Sequence, residues 1–187
     1  MTLLLIFLLG AMAISFLCSL LESVLMSTPI SYISMKEEEG DRNAALFAKL
    51  KDNPDRPLTA ILALNTIANT VGAAGVGQQA TLLFGNEWFG LVSAGMTLLI
   101  LIFSEIVPKT IGSYHWKNLM WLARIMNGLM FVLYPLVWLV ENIRRPLAGD
   151  EPDTGISREE VSAMANMGEE EGVIDNSENK VIQNIIK

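Results

Sequence analysis

The hexapeptide Ser104-Glu105-Ile106-Val107-Pro108-Lys109 sets an acid, a helix breaker and a base inside an apolar run from Trp88 to Gly112. A carboxylate at membrane depth costs about 2.5–3.5 kcal/mol on insertion scales, so an acid retained there marks a functional site by default. Pro108 has no N–H to offer the carbonyl four residues back, which leaves the C=O of Ser104 without its helical partner beside Glu105. Adjacent residues thus prepare two oxygen donors for a hard cation.

Other polar residues share the apolar runs. Asn65 and Asn69 are four apart and fall on one helix face, as do Ser19 and Ser23, with Glu22 one turn from Ser19. Three helices would then offer neutral oxygens around a single carboxylate, a donor set suited to Mg²⁺ or Na⁺. Zinc and copper favour imidazole or thiolate and fit it poorly. Each residue also has a plainer role. Serine and asparagine in membrane helices often only bond a neighbouring helix, for about 0.6 kcal/mol apiece. Glu105 and Lys109 could form an ion pair, or Lys109 could neutralise Glu22. The Gly72–Gly77 run reads as a close-packing surface, and the lone His115 as an interfacial residue.

The elements that must carry these residues follow from hydropathy. Hydrophobic residues make up 51% of 187, and mean hydropathy is +0.40. Three runs reach the roughly 20 residues needed to cross a bilayer: residues 2–26, 58–84 and 88–112. The N-terminal run has no basic leader region and reads as a retained span. The connection between the first two runs holds Lys36, Arg42, Lys49, Lys51 and Arg56, whereas Gly85-Asn86-Glu87 holds no base. The positive-inside rule places the longer connection in the cytoplasm and the N-terminus outside.

A fourth apolar run, Leu119–Val140, is flanked by Lys109 and Lys117 on one side and Arg144-Arg145 on the other. Its basic flanks predict a juxtamembrane helix pair over about 117–145 that dips into or lies along the cytoplasmic leaflet, with Trp121, Tyr134 and Trp138 as anchors. Residues 150–187 hold ten acids against Arg158, Lys180 and Lys187, so the net charge of −7 sits there. The box Ser157-Arg158-Glu159-Glu160 starts one helix, Gly168 and Gly172 loosen or end it, and Asp175–Glu178 starts another. Their apolar positions (Val161, Met164 and Met167; Val181, Ile182, Ile185 and Ile186) need one another or a partner. Cys18, the one cysteine, excludes a disulfide framework.

Ser19-Leu-Leu-Glu22-Ser23, Asn65-Thr-Ile-Ala-Asn69 and Ser104-Glu105-Ile-Val-Pro108-Lys109 together resemble the transmembrane domain of the CorC/CNNM (cyclin M) magnesium transporters. The resemblance spans about residues 1–187, and Glu-Ile-Val-Pro-Lys is its most specific part. It implies an all-α membrane protein: a domain over 1–147 with three transmembrane helices and a belting helix pair, then an acidic helical bundle over 150–187. It also implies a multi-pass homodimer in the plasma membrane, working as a Na⁺-dependent Mg²⁺ exporter. Mg²⁺ ligands carry over to Ser19, Ser23, Asn65, Asn69, Glu105 and the Ser104 carbonyl, with Pro108 as the helix break. Asn65 stands where relatives often have a small hydroxyl residue. Glu22 matches a recurrent acid that either helps coordinate Na⁺ or pairs with Lys109. The family normally continues into a nucleotide-binding CBS pair, so the sequence reads as a truncated form.

Two other classes compete. A regulatory or scaffold membrane protein would bind or sense divalent cations without transporting them. An intramembrane enzyme is disfavoured: there is no HExxH, Gln78 stands where a GxGD protease needs its acid, and His115 lies beyond the third span. Nothing in so acidic a chain suggests a nucleic-acid partner.

Overall fold

The computed structural model describes residues 1–148 and 158–186, whose regular elements are all helical. The chain divides into two compact units, Met1–Arg144 and Arg145–Lys187. Among the described residues three helical stretches are long and apolar enough to cross a membrane: Thr2–Ser27, Asp55–Phe84 and a third beginning at Asn86.

The first of these is α1 (Thr2–Ser27), charged only at Glu22. At 1.5 Å per residue it is about 39 Å long, more than a ~30 Å hydrocarbon core requires. The second, α4 (Asp55–Phe84), starts three residues before its apolar run. Pro57 lies in its first turn, where a missing N–H costs nothing. The third consists of α5 (Phe89–Leu99), a π-helical stretch Ile100–Ile106 and α6 (Val107–His115) in succession. Gly85, at φ +88°, ends α4 and admits the short Asn86–Trp88 turn that leads into α5.

The basic connection, read from sequence only as a loop, is a helical hairpin: α2 (Ile30–Glu38) and α3 (Arg42–Asp52). Gly40 makes the turn at φ +84°. Asp41 caps α3 by accepting the Asn43 backbone N–H at 2.7 Å. Ala44, Phe47 and Leu50, spaced three apart, form its buried face. The main apolar core therefore lies at one end of the spans, where Leu21 and Leu25 of α1 meet Phe47, Leu50, Ile61, Leu122 and Met126. Beyond that core the spans show apolar side chains outward, among them Leu9, Leu62, Val71, Leu91, Leu98 and Phe103. That distribution suits hydrocarbon and not water.

After α6 a 3₁₀ stretch, Trp116–Leu122, leads into α7 (Ala123–Val132). The chain turns at Leu133, and α8 (Tyr134–Ala148) follows with Pro135 in its first turn. The fourth apolar run is thus two helices. Arg56 at the start of α4 holds α8 in a fork, Nε to Glu141 Oε1 at 2.5 Å and Nη2 to Oε2 at 3.4 Å. Trp121, Tyr134 and Trp138 are exposed.

In the second unit α9 (Arg158–Glu170) and α10 (Asn176–Ile186) pair through Gly172 at φ +73°. Asp175 and Glu178 cap α10 reciprocally, each accepting the other's backbone N–H at 2.8 Å. Ser157 of the expected first box lies outside the described residues. The helices meet through polar groups, whereas their apolar positions were expected to need one another or a partner. Ser162 donates to Gln183 at 2.6 Å, while Asn179 donates to Asn166 at 3.0 Å and also to Glu169. Met164, Met167, Val181 and Ile185 remain exposed.

Candidate functional site

Two close approaches set the register of α1 against α4. A Cβ on Gly72 would lie 2.3 Å from the Ala11 Cβ, and one on Gly75 would lie 2.4 Å from the Phe7 ring. Glycine is required at both, so the Gly72–Gly77 run is a packing surface. The helices run antiparallel, and one turn further along α1 Ser15 comes level with Asn69. Another turn brings Ser19 level with Asn65.

Side-chain polarity along this seam is unsatisfied. The Ser15 and Ser19 hydroxyl oxygens and Asn69 Oδ1 are buried without a hydrogen-bond partner. Ser15 is 0% and Ser19 1% exposed. Asn69 Nδ2 donates to Asn65 Oδ1 at 3.3 Å, which turns the free Asn69 oxygen away from its neighbour. Buried polar groups are normally paired, and each orphan costs about 1–3 kcal/mol. Any partner bound along this seam would have three free oxygens to bond. Sequence reasoning missed Ser15, although it precedes Ser19 by four residues and extends the same stripe.

The third span supplies the charge. Ser104 is buried, and its hydroxyl donates to the Met12 carbonyl of α1 at 3.2 Å. That bond fixes the π-helical stretch on α1 one turn before Ser15. Glu105 is half-buried and has no hydrogen bond or ion pair among the described residues. Around Pro108 the helix is widened and not opened. The Val107 N–H reaches back five residues to Ile102 at the end of the π-helical stretch, and Ile106 and Val107 keep helical dihedral angles. π-Helical stretches of this kind recur at functional sites because they re-aim carbonyls and side chains.

Glu22, Ser23 and Lys109 form a second group at the end nearer the apolar core. Ser23 donates to the Lys109 carbonyl at 2.6 Å. The Lys109 ammonium lies 3.4 Å from each Glu22 carboxylate oxygen. Gly112 lets α6 approach α1 here, since a Cβ on it would meet the Ser23 Cβ at 2.7 Å. The Ser23 hydroxyl proton is therefore spent on a helix contact, while its lone pairs remain.

Along α1, Ser15 and Ser19 come level with Asn69 and Asn65 of α4, and the third span bonds α1 through Ser104, with Glu105 next to it in the chain. Ser23, Glu22 and Lys109 are joined to one another as a separate group. Among the described residues no group of three or more His, Cys, Asp or Glu side chains could hold a metal. The seam offers neutral oxygens and the third span carries one carboxylate, donor types that suit a hard, partly hydrated cation. A groove of about 240 Å³ lined by Ile6, Phe7, Ile14, Leu64, Ile67 and Val71 also lies between α1 and α4, but it is apolar and belongs to the hydrocarbon-facing surface.

The sequence model of the cyclin M transmembrane N-terminal domain matches residues 3–178. A UPF0053 protein of Synechocystis, sll1254, is 32% identical over 91% of this chain and 50% of its own length. The E. coli UPF0053 inner membrane protein YfjD is 28% identical over 59% of the chain and 26% of its own length. A polyamine export protein of Haemophilus influenzae is 25% identical over 79% of the chain and 38% of its own length. The chain thus spans half or less of the length of these relatives.

Proposed function

Because the chain belongs to the cyclin M transmembrane-domain family, we propose that it is the membrane part of a Mg²⁺ transporter, an exporter driven by Na⁺. The carrying observation is the set of buried, unpartnered oxygens on Ser15, Ser19 and Asn69, together with a Glu105 on the third span that makes no hydrogen bond or ion pair among the described residues. Asn65 and the Ser104 carbonyl complete the shell, and Glu105 supplies the negative charge that offsets the dehydration of a divalent ion. Ser23 lies at the edge of the shell. Na⁺ would use the same oxygens at lower charge density, which makes competition between the two ions the simplest basis for exchange.

An organic polycation is the second reading, because one relative is named as a polyamine exporter. The donor set favours the small ion: a polyamine spreads its charge along a chain and wants several separated carboxylates, whereas this seam has one beside neutral oxygens. Proteoliposomes loaded with a Mg²⁺ indicator decide between transport and sensing. Mg²⁺ flux that follows an imposed Na⁺ gradient and persists in excess spermidine supports the proposal. Binding without flux would make the domain a sensor or scaffold.

The same reading places the α2–α3 hairpin and the acidic unit in the cytoplasm, the N-terminus outside and two copies in the plasma membrane. A cysteine introduced at Asn86 should then label only from outside, and labelling from inside would invert the orientation.

A further inference from the structure

Glu105 and Lys109 are four residues apart on one helix, acid first, the order in which such a pair attracts best. They do not pair. The Lys109 ammonium crosses to the first span and lies 3.4 Å from both oxygens of Glu22. Two further contacts hold it there. The Ser23 hydroxyl bonds the Lys109 carbonyl at 2.6 Å. The glycine at 112 brings that part of α6 so close to α1 that a Cβ would meet the Ser23 Cβ at 2.7 Å and the Leu20 carbonyl at 3.2 Å.

A lysine one turn from a ligand carboxylate is a tethered competitor for any cation that needs it. Its effective concentration is on the order of millimolar, so a divalent ion of modest affinity could not displace it freely. We infer that Glu22 is a positioning residue whose task is to hold Lys109 off Glu105, leaving that carboxylate charged and open to the transported cation. This assignment rests on the reading of Glu105 as a cation ligand. It gives Glu22 a role without placing it in the cation's shell.

The test uses the full chain in detergent and two readouts. A water-soluble carbodiimide joins a carboxylate to an amine already in contact: the activated carboxyl carbon takes the amine, an amide forms and a urea leaves. Peptide mass spectrometry should find Lys109 joined to Glu22 in the parent and to Glu105 in Glu22→Gln. Failure of Lys109 to join Glu105 in a folded Glu22→Gln protein overturns the inference, whether or not Mg²⁺ binds. The second readout is Mg²⁺ affinity by calorimetry across a double-mutant cycle. Glu22→Gln should weaken binding about tenfold, as the fraction of molecules with a free Glu105 falls. In a Lys109→Met background the same change should matter less than about threefold, since the competitor is gone. Equal losses in the two backgrounds would show Glu22 acting on the ion directly and overturn the positioning role. If the parent shows no Glu105-dependent Mg²⁺ binding, the failure lies with the cation site itself, and the crosslink still decides the question of Lys109.

Discussion

Replacing Ser19 by alanine should make the protein more stable and less responsive to Mg²⁺, a combination that a structural hydroxyl cannot produce. The Ser19 oxygen is buried with no partner, so without cation it carries a desolvation cost of about 1–3 kcal/mol. Ser19→Ala deletes one oxygen, breaks no hydrogen bond and leaves a void smaller than a water molecule. Taking the lower end, relief of ~1 kcal/mol raises the melting temperature of a chain this size by about 2–4 °C in EDTA. Mg²⁺ at ~100 Kd should stabilise the parent by about 2.7 kcal/mol, or roughly 5–10 °C. The alanine variant should keep less than half of that shift. Tryptophan fluorescence during heating, in EDTA and in Mg²⁺, reads both effects. A variant that melts lower than the parent in EDTA and keeps the whole Mg²⁺ shift would refute the assignment of Ser19.

Three further outcomes follow from other parts of the molecule. Gly72→Ala forces a Cβ to within 2.3 Å of the Ala11 Cβ and should cost about 1–3 kcal/mol, whereas Gly10→Ala meets nothing within 4 Å and should be neutral or better; melting curves compare them directly. Pro108→Ala restores an N–H that can recapture the Ser104 carbonyl, so Mg²⁺ affinity measured by calorimetry should fall, by less than in Glu105→Gln, while stability without Mg²⁺ is at least maintained. In the second unit, hydrogen bonds first from Asn179 and then from Asn176 hold the Glu169 carboxyl below its ordinary 4.5. A depressed pKa means that its contribution to the α9–α10 pair is present above that ordinary value and is lost as pH falls through the lowered one. Hydrogen exchange across residues 158–186 should show this loss on acidification, and Glu169→Gln should remove the pH step.

The spans were legible because a long apolar run has one solution in a bilayer, and α1 and α4 match their runs to within a turn. The α2–α3 hairpin was not, because the charges from Lys36 to Asp41 dominate the reading of that segment. Its three-residue spacing of Ala44, Phe47 and Leu50, behind the Asp41 cap, was nevertheless in plain view. Pro108 announced an irregular helix, but hydrogen-bond arithmetic alone did not distinguish a gap from a π-helical widening that spreads the defect over Ile100–Ile106. Of the proposed polar set, Ser19, Asn65, Asn69 and Glu105 were candidates by type and spacing. Which hydroxyls are already spent depends on packing between helices distant in sequence. Ser23 and Ser104 bond carbonyls on other spans, whereas Ser15 has no partner and was overlooked. The polar α9–α10 interface was hidden for the same reason, since an amphipathic pattern shows which face is apolar without showing whether its partner will use it.

Glu105 carries the account, and one titration tests it. Calorimetry of Mg²⁺ into the full chain should show saturable binding to the parent. Glu105→Gln should weaken it by about 100-fold or more, beyond what loss of an outer partner costs a metal site. The variant should stay folded and melt no lower than the parent in EDTA, because neutralising a half-buried acid relieves its desolvation cost. A Glu105→Gln protein that binds Mg²⁺ as tightly as the parent would contradict the cation site.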